Sequence, residues 1–213
     1  MTKKIIARGA EAVLVVDEKK QRLIKYRIKK SYRHEQLDKK LRRQRTKREG
    51  KIIEKLSNII SVPLIYNIDE KRFLIEMEFI EGKRLSDELE AMKEERKHIA
   101  EEIGKNIALM HNVNIIHGDL TTSNMIYRDG NVYFIDFGLA FHSNRIEDKA
   151  VDVYLFIQAL KSKHYEIFKE FSQDVLNSYF KHVNDANKIK TQLKKVEERG
   201  RYKKQREEEM MIV

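Results

Sequence analysis

The chain has 213 residues, enough for one sizeable core or two small lobes, so a miniature scaffold that depends on cross-links is excluded. It has no cysteine, which rules out disulfides, thiolate metal centres and a cysteine nucleophile. Lysine and arginine number 44 against 34 aspartates and glutamates, and the formal net charge of +10 suits a polyanionic partner or a charged, heat-tolerant surface.

The N-terminus, MTKKIIARGAEAVLVVDEKK, lacks the apolar run and cleavage site of a signal peptide. No later stretch reaches the roughly 20 apolar residues of a membrane span, so a cytoplasmic protein is expected. Alternating β-formers at Ile5 to Ala7, Ala12 to Val16 and Arg22 to Arg27 predict a three-stranded meander. Leu37, Leu41, Ile52, Ile53, Leu56, Ile59 and Ile60 then recur at helical spacing and predict one or two helices, stopped by Pro63. LIYNI and RFLIEMEFI, around Asp69-Glu70, read as a hairpin. A connector near Glu81-Gly82 leads to a short helix begun near Ser86. A longer helix follows, with Ile99, Ile103, Ile107 and Met110 on one face. MIYRDGNVYFID forms a hairpin about Asp129-Gly130. From Asp148 the pattern is helical, with Val151, Leu155 and Ala159 in one helix and Phe168, Phe171, Val175, Leu176, Tyr179 and Phe180 in the next. The layout is α+β: a β-rich lobe over residues 1–80 and a mainly helical lobe over 81–213, with a cleft between them.

The chemistry concentrates in IIHGDLTTSNMIYRDGNVYFIDFG. His117-Gly118-Asp119, Asn124 and Asp136-Phe137-Gly138 fit the H-x-D-x-x-x-x-N and D-F-G spacing of protein kinases, with Gly118 where an arginine is usual. Phosphoryl transfer from ATP needs a carboxylate to accept the proton of the attacking hydroxyl, a role that falls to Asp119. It also needs oxygen ligands for magnesium, which Asn124 and Asp136 supply. Each motif alone fits a turn or a cap, and it is the joint spacing that favours a kinase site. His117 reads as a scaffold residue rather than a base.

ATP would then sit against the β-rich part. Lys25 falls where the kinase strand lysine reaches the α- and β-phosphates. Glu49 is a candidate ion-pair partner, although Thr46 to Glu49 is equally a capping box, and Glu54 or Glu35 could substitute. Gly9 is the one glycine left in the phosphate lid RGAEAVL. The Glu78 carbonyl and the Ile80 N–H would pair with the adenine edge, with Met77 walling the pocket.

Together, RIKKSYRHEQLDKKLRRQRTKRE, HGDLTTSNM, FIDFGLAF, EDKAVDVYLF and the basic RGRYKKQR resemble the small atypical kinase subunit of the KEOPS (EKC) complex over nearly the whole chain. The resemblance implies a minimal two-lobed kinase that hydrolyses ATP and phosphorylates serine or threonine. It implies partners too: the KEOPS threonylcarbamoyl-transfer subunit, a small helical KEOPS subunit, and the tRNA that receives threonylcarbamoyladenosine. Only nine residues separate Gly138 from Asp148, too few for a long activation loop. Asp152 would anchor the catalytic loop or serve as a surface or capping residue. Two basic clusters could follow tRNA phosphates or form solvated helix faces: one includes Arg42, Arg43 and Arg45, the other Arg199, Arg201, Lys203 and Lys204. A kinase-fold scaffold and a small-molecule kinase are the competing readings.

Overall fold

The computed structural model describes residues 3–211, with side chains described through residue 200. β1 (Lys3–Arg8), β2 (Ala12–Asp17) and β3 (Arg22–Arg27) form the meander, pairing antiparallel with Leu14 opposite Lys25. One continuous helix, α1 (Glu35–Leu56), follows rather than two. Its last turns turn Ile52, Ile53 and Leu56 inward, and its Gly50 lies where a Cβ would collide with Ile68. β4 (Ile65–Asp69) and β5 (Leu74–Glu78) complete a sheet in the order β1-β2-β3-β5-β4. Their connection is longer than the Asp69-Glu70 turn expected. Asp69 Oδ1 accepts the N–H groups of Lys71 and Arg72 at 2.9 and 2.8 Å, and Phe73 closes the loop with a φ of 58°.

The helical lobe begins with β6 (Lys83–Arg84) and the single turn α2 (Leu85–Glu88), which starts one residue before Ser86. α3 (Arg96–Asn112) buries the expected Ile99, Ile103, Ile107 and Met110 completely. After β7 (Ile115–Ile116), β8 (Met125–Arg128) and β9 (Asn131–Phe134) pair about Asp129-Gly130, both left-handed as a tight hairpin requires. β10 (Phe141–His142) returns to β7. Then come α4 (Ile146–Lys163), α5 (Phe168–His182) and α6 (Ala186–Met211).

Val151, Leu155 and Ala159 do share one helix, α4, but they do not mark its fully buried stripe. Leu155 is 50% exposed, and Ala150, Asp152, Val153, Phe156 and Leu160 point inward. An aspartate on the buried stripe disguises the period, because an apolar pattern discounts it. α5 packs closely on α3, with Gly104 against the backbone of Val175 and Tyr179 and Ser178 Oγ donating to the Glu101 carbonyl at 2.6 Å. The main core joins the end of α1 to α3, β9 and α4–α6. It therefore lies directly beneath the segment that carries the motifs.

Candidate active site

Residues two apart on a strand share a face, so β3 presents Lys25 and Arg27 together. Both meet Glu49 of α1, which is 1% exposed: Lys25 Nζ lies 2.7 Å from Glu49 Oε1, and Arg27 Nη2 donates to Glu49 Oε2. Glu49 sits mid-helix, not at an N-terminus, so the capping-box alternative is excluded. Glu35 pairs with Lys39 instead, and Glu54 is exposed. Lys25 Nζ is also 2.7 Å from Asp136 Oδ1. Burial opposes the charge on Lys25, but the Glu49 and Asp136 carboxylates outweigh it and hold the ammonium pKa above its ordinary value. Burial likewise works to raise Asp136, yet Lys25 and the Gly138 N–H keep its carboxyl below the usual range. Asp136 carries a φ of 59°, a left-handed backbone uncommon outside glycine, that aims its half-exposed side chain at Lys25.

The loop before β8 is hung from α4. Asp152 Oδ1 accepts the Gly118 N–H at 2.9 Å, and Oδ2 accepts the His117 N–H at 3.0 Å and His111 Nε2–H at 3.2 Å. His111 Nδ1 meets the Tyr179 hydroxyl at 2.8 Å. Asp152 is therefore a buried anchor rather than a surface or capping residue. Its carboxyl would be raised by burial, but the hydrogen bond and charge of His111 hold it low. Burial also lowers the His117 pKa, against the pull of Asp152. Its ring packs on Phe137 at 4.7 Å, takes the Asp119 N–H at Nδ1 and donates from Nε2 to the Ile135 carbonyl. Both ring nitrogens are thus occupied by backbone, consistent with a scaffold role. A second tether, unforeseen in the sequence, runs from Thr122 Oγ1 to His164 Nε2 at 2.9 Å and from His164 Nδ1 to Glu90 at 3.1 Å.

Asp119 is exposed at the loop's tip. Asn124 Nδ2 donates to its carbonyl and its Oδ2 at 2.9 and 3.0 Å, which leaves the Asn124 amide oxygen as the atom available to a cation. The Ile135 N–H bonds the Asn124 carbonyl at 3.0 Å, tying the two expected metal ligands together through the backbone. Among the described residues no three His, Asp or Glu side chains converge as a metal cluster. A cation here would need a ligand's own oxygens beside Asn124 and Asp136, a hard oxygen set that fits magnesium with a nucleotide.

Asp119, Asp136, Lys25, Arg27, Gly9 and Leu14 share a cavity of about 350 Å³. Its lid is the β1–β2 loop, where the Gly9 N–H bonds the Ala12 carbonyl at 2.9 Å and Lys30 Nζ reaches the Ala10 carbonyl. Met77 and Ile80 are buried at the end of β5, and among the described residues the Ile80 N–H finds no acceptor. Arg128 holds the Glu78 side chain at 3.0 Å.

The first basic cluster is less free than expected. Arg42, only 13% exposed, pairs with Asp38 at 2.7 Å and stacks on Phe73, so it belongs to the packing of α1 rather than to a phosphate surface. Arg45 binds Glu11 at 2.6 Å and pins the lid. Arg43 and Lys47 share Glu70 at 2.9 and 3.1 Å but remain largely exposed. They line a groove of about 730 Å³ with Lys39, Lys40 and Lys71. Arg199 pairs with Glu147 at 2.7 Å. The side chains of Arg201, Lys203 and Lys204 lie outside the described residues.

A five-stranded sheet over a helical lobe, with a lysine–glutamate pair facing the D-F-G aspartate, defines a phosphotransferase of the protein-kinase-like class. The RIO domain model matches residues 8–192. KEOPS complex subunit Bud32 of Pyrococcus abyssi is 40% identical over 94% of this chain and 96% of its own length. A probable bifunctional tRNA threonylcarbamoyladenosine biosynthesis protein of Methanobrevibacter smithii is 38% identical over 93% of this chain, which spans 36% of that longer protein. The Rio2 kinase of Chaetomium thermophilum, solved as an ADP/Mg2+-phosphoaspartate complex, superposes with a TM-score of 0.61 at 16% identity, covering 93% of this chain and 72% of that one. The chain belongs to the RIO domain family and to the Bud32 family of KEOPS subunits.

Proposed function

We propose that this chain binds ATP with magnesium in the cavity beneath the lid and transfers the γ-phosphoryl group to a serine or threonine hydroxyl or to water, in the service of threonylcarbamoyladenosine formation on tRNA. The observation that carries the reading is the placement of Lys25 Nζ at 2.7 Å from both Glu49 and Asp136, in the cavity that Asp119 also lines. Lys25 would exchange Asp136 for the α- and β-phosphates, and Asp136 with the Asn124 amide oxygen would hold magnesium. The metal, when bound, would neutralise charge on the transferring phosphoryl group. Asp119, exposed and oriented by Asn124, accepts the proton of the attacking oxygen. Gly9 and its neighbours would cover the phosphates, and the Glu78 carbonyl with the Ile80 N–H would face the adenine.

Partnership follows from the same features. The short segment between Gly138 and Asp148 offers little platform for a protein substrate, so the site's output goes to a bound partner. We assign that partner to the KEOPS threonylcarbamoyl-transfer subunit, with the small helical subunit on another face. The exposed cations Lys40, Arg43, Lys47 and Arg48 would follow tRNA phosphates, and the second basic cluster in the sequence, Arg199, Arg201, Lys203 and Lys204, would do so as well. Such a setting is the cytoplasm. No helix among the described residues is long and apolar enough to cross a membrane. Calorimetric titration with ADP tests the nucleotide reading: affinity should require magnesium in the wild type and lose that requirement in Asp136→Asn. Magnesium-independent binding by both proteins would count against it.

A further inference from the structure

Lys25 faces two carboxylates at once, and the nucleotide reading requires it to let one of them go. As it turns to phosphate, its share of the charge on Glu49 falls. Glu49 is 1% exposed, and a buried carboxylate without a full counter-charge is strongly disfavoured. The structure provides a second cation for this carboxylate. Arg27, 5% exposed, donates Nη2 to Glu49 Oε2, while its buried Nε–H has no acceptor among the described residues. Glu49 is the side chain's one hydrogen-bonding partner among those residues. A guanidinium stays charged throughout any working pH range, whereas a lysine in the same place is a flexible point charge. Lys25, Arg27, Glu49 and Asp136 thus form a set of two cations and two anions in which Lys25 is shared between both carboxylates and Arg27 alone of the cations is committed to Glu49.

We propose that Arg27 is a positioning residue for phosphoryl transfer: it keeps Glu49 neutralised and in place while Lys25 leaves Asp136 for the nucleotide phosphates. The proposal rests on the reading of this cavity as a magnesium–ATP site. Arg27 also borders that cavity, so a direct phosphate contact is the alternative the test must separate.

The test is a double-mutant cycle in magnesium-dependent ATP turnover, with the purified full chain as wild type, Arg27→Gln, Glu49→Gln and the double variant, and Arg27→Lys as the conservative replacement. Thermal unfolding of each variant fixes an assay temperature at which all are folded. Arg27→Gln should lower kcat/KM for ATP by at least about tenfold, and Arg27→Lys should recover most of it. The double variant should be no slower than Glu49→Gln alone, because Arg27 acts through Glu49. Multiplying losses in the double variant would mean that Arg27 touches phosphate directly, and unchanged turnover in folded Arg27→Gln would mean that it only stabilises; either overturns the proposal. Absence of magnesium-dependent turnover in the wild type would instead remove the ATP-site reading, and the proposal with it.

Discussion

Asp152 Oδ1 accepts the Gly118 N–H at 2.9 Å, so a carboxylate in α4 holds the residue that precedes the exposed Asp119. The same carboxylate also takes the His117 N–H and the His111 ring. Replacing Asp152 with alanine would leave two backbone donors and the Nε2–H of the buried His111 ring unpartnered. The expected loss is about 3–5 kcal/mol of stability by denaturant unfolding. ATP turnover should also fall in the folded fraction, because Asp119 loses its mount.

Gly118 itself tolerates no side chain. Its φ is +78°, and a Cβ would lie 2.9 Å from the Leu139 carbonyl oxygen. Gly118→Ala should cost roughly 1–3 kcal/mol by the same unfolding measurement. Gly118→Arg, which restores the residue usual in protein kinases, should cost more and should not improve turnover.

Acid should weaken the fold in two stages. Burial pushes His164 below its ordinary pKa against the pull of Glu90, and burial also lowers His117. The unfolded imidazoles take up protons below about pH 6.5 while the folded ones do not, so stability falls as pH drops from there. Asp152 and Asp136 are depressed in the folded state, so their contribution is complete above about pH 4 and is lost as pH falls further. Urea midpoints measured across pH 4 to 7.5 should therefore rise with pH. His164→Asn should flatten that rise, and an unaltered slope would contradict the assignment.

The arginines of the first basic cluster should separate by mutation. Arg43→Ala with Lys47→Ala removes two exposed cations and should lower the salt dependence of tRNA affinity by about two in log–log slope, with little effect on folding. Arg42→Ala should instead destabilise the chain, since that guanidinium is packed on Phe73 and paired to the buried Asp38. Filter binding across a salt series, alongside thermal melts, checks both.

The candidate catalytic stretch stood out because phosphoryl transfer demands particular side chains at fixed chain spacing, and the hairpin that Asp129-Gly130 announces between them is present. The partners of those side chains were less legible. Glu49 lies 24 positions from Lys25, and only the packing of α1 on the sheet distinguishes its ion pair from a helix cap. Arg27 could have been suspected from its place two residues after Lys25 on one strand face. The anchoring role of Asp152 stayed open because a polar residue on a buried helix stripe looks like a solvent position. Arg42 and Arg45 read as free cations because Asp38, Phe73 and Glu11, which engage them, come from other turns or strands.

Magnesium-dependent ATP turnover by wild type and Asp119→Ala, at equal folded concentration, tests the central claim most directly. The exposed carboxylate beside Asn124 is the proton acceptor in this account, so Asp119→Ala should still bind magnesium–ADP while its turnover falls about 10²–10⁴-fold. Equal turnover by the two proteins would contradict it.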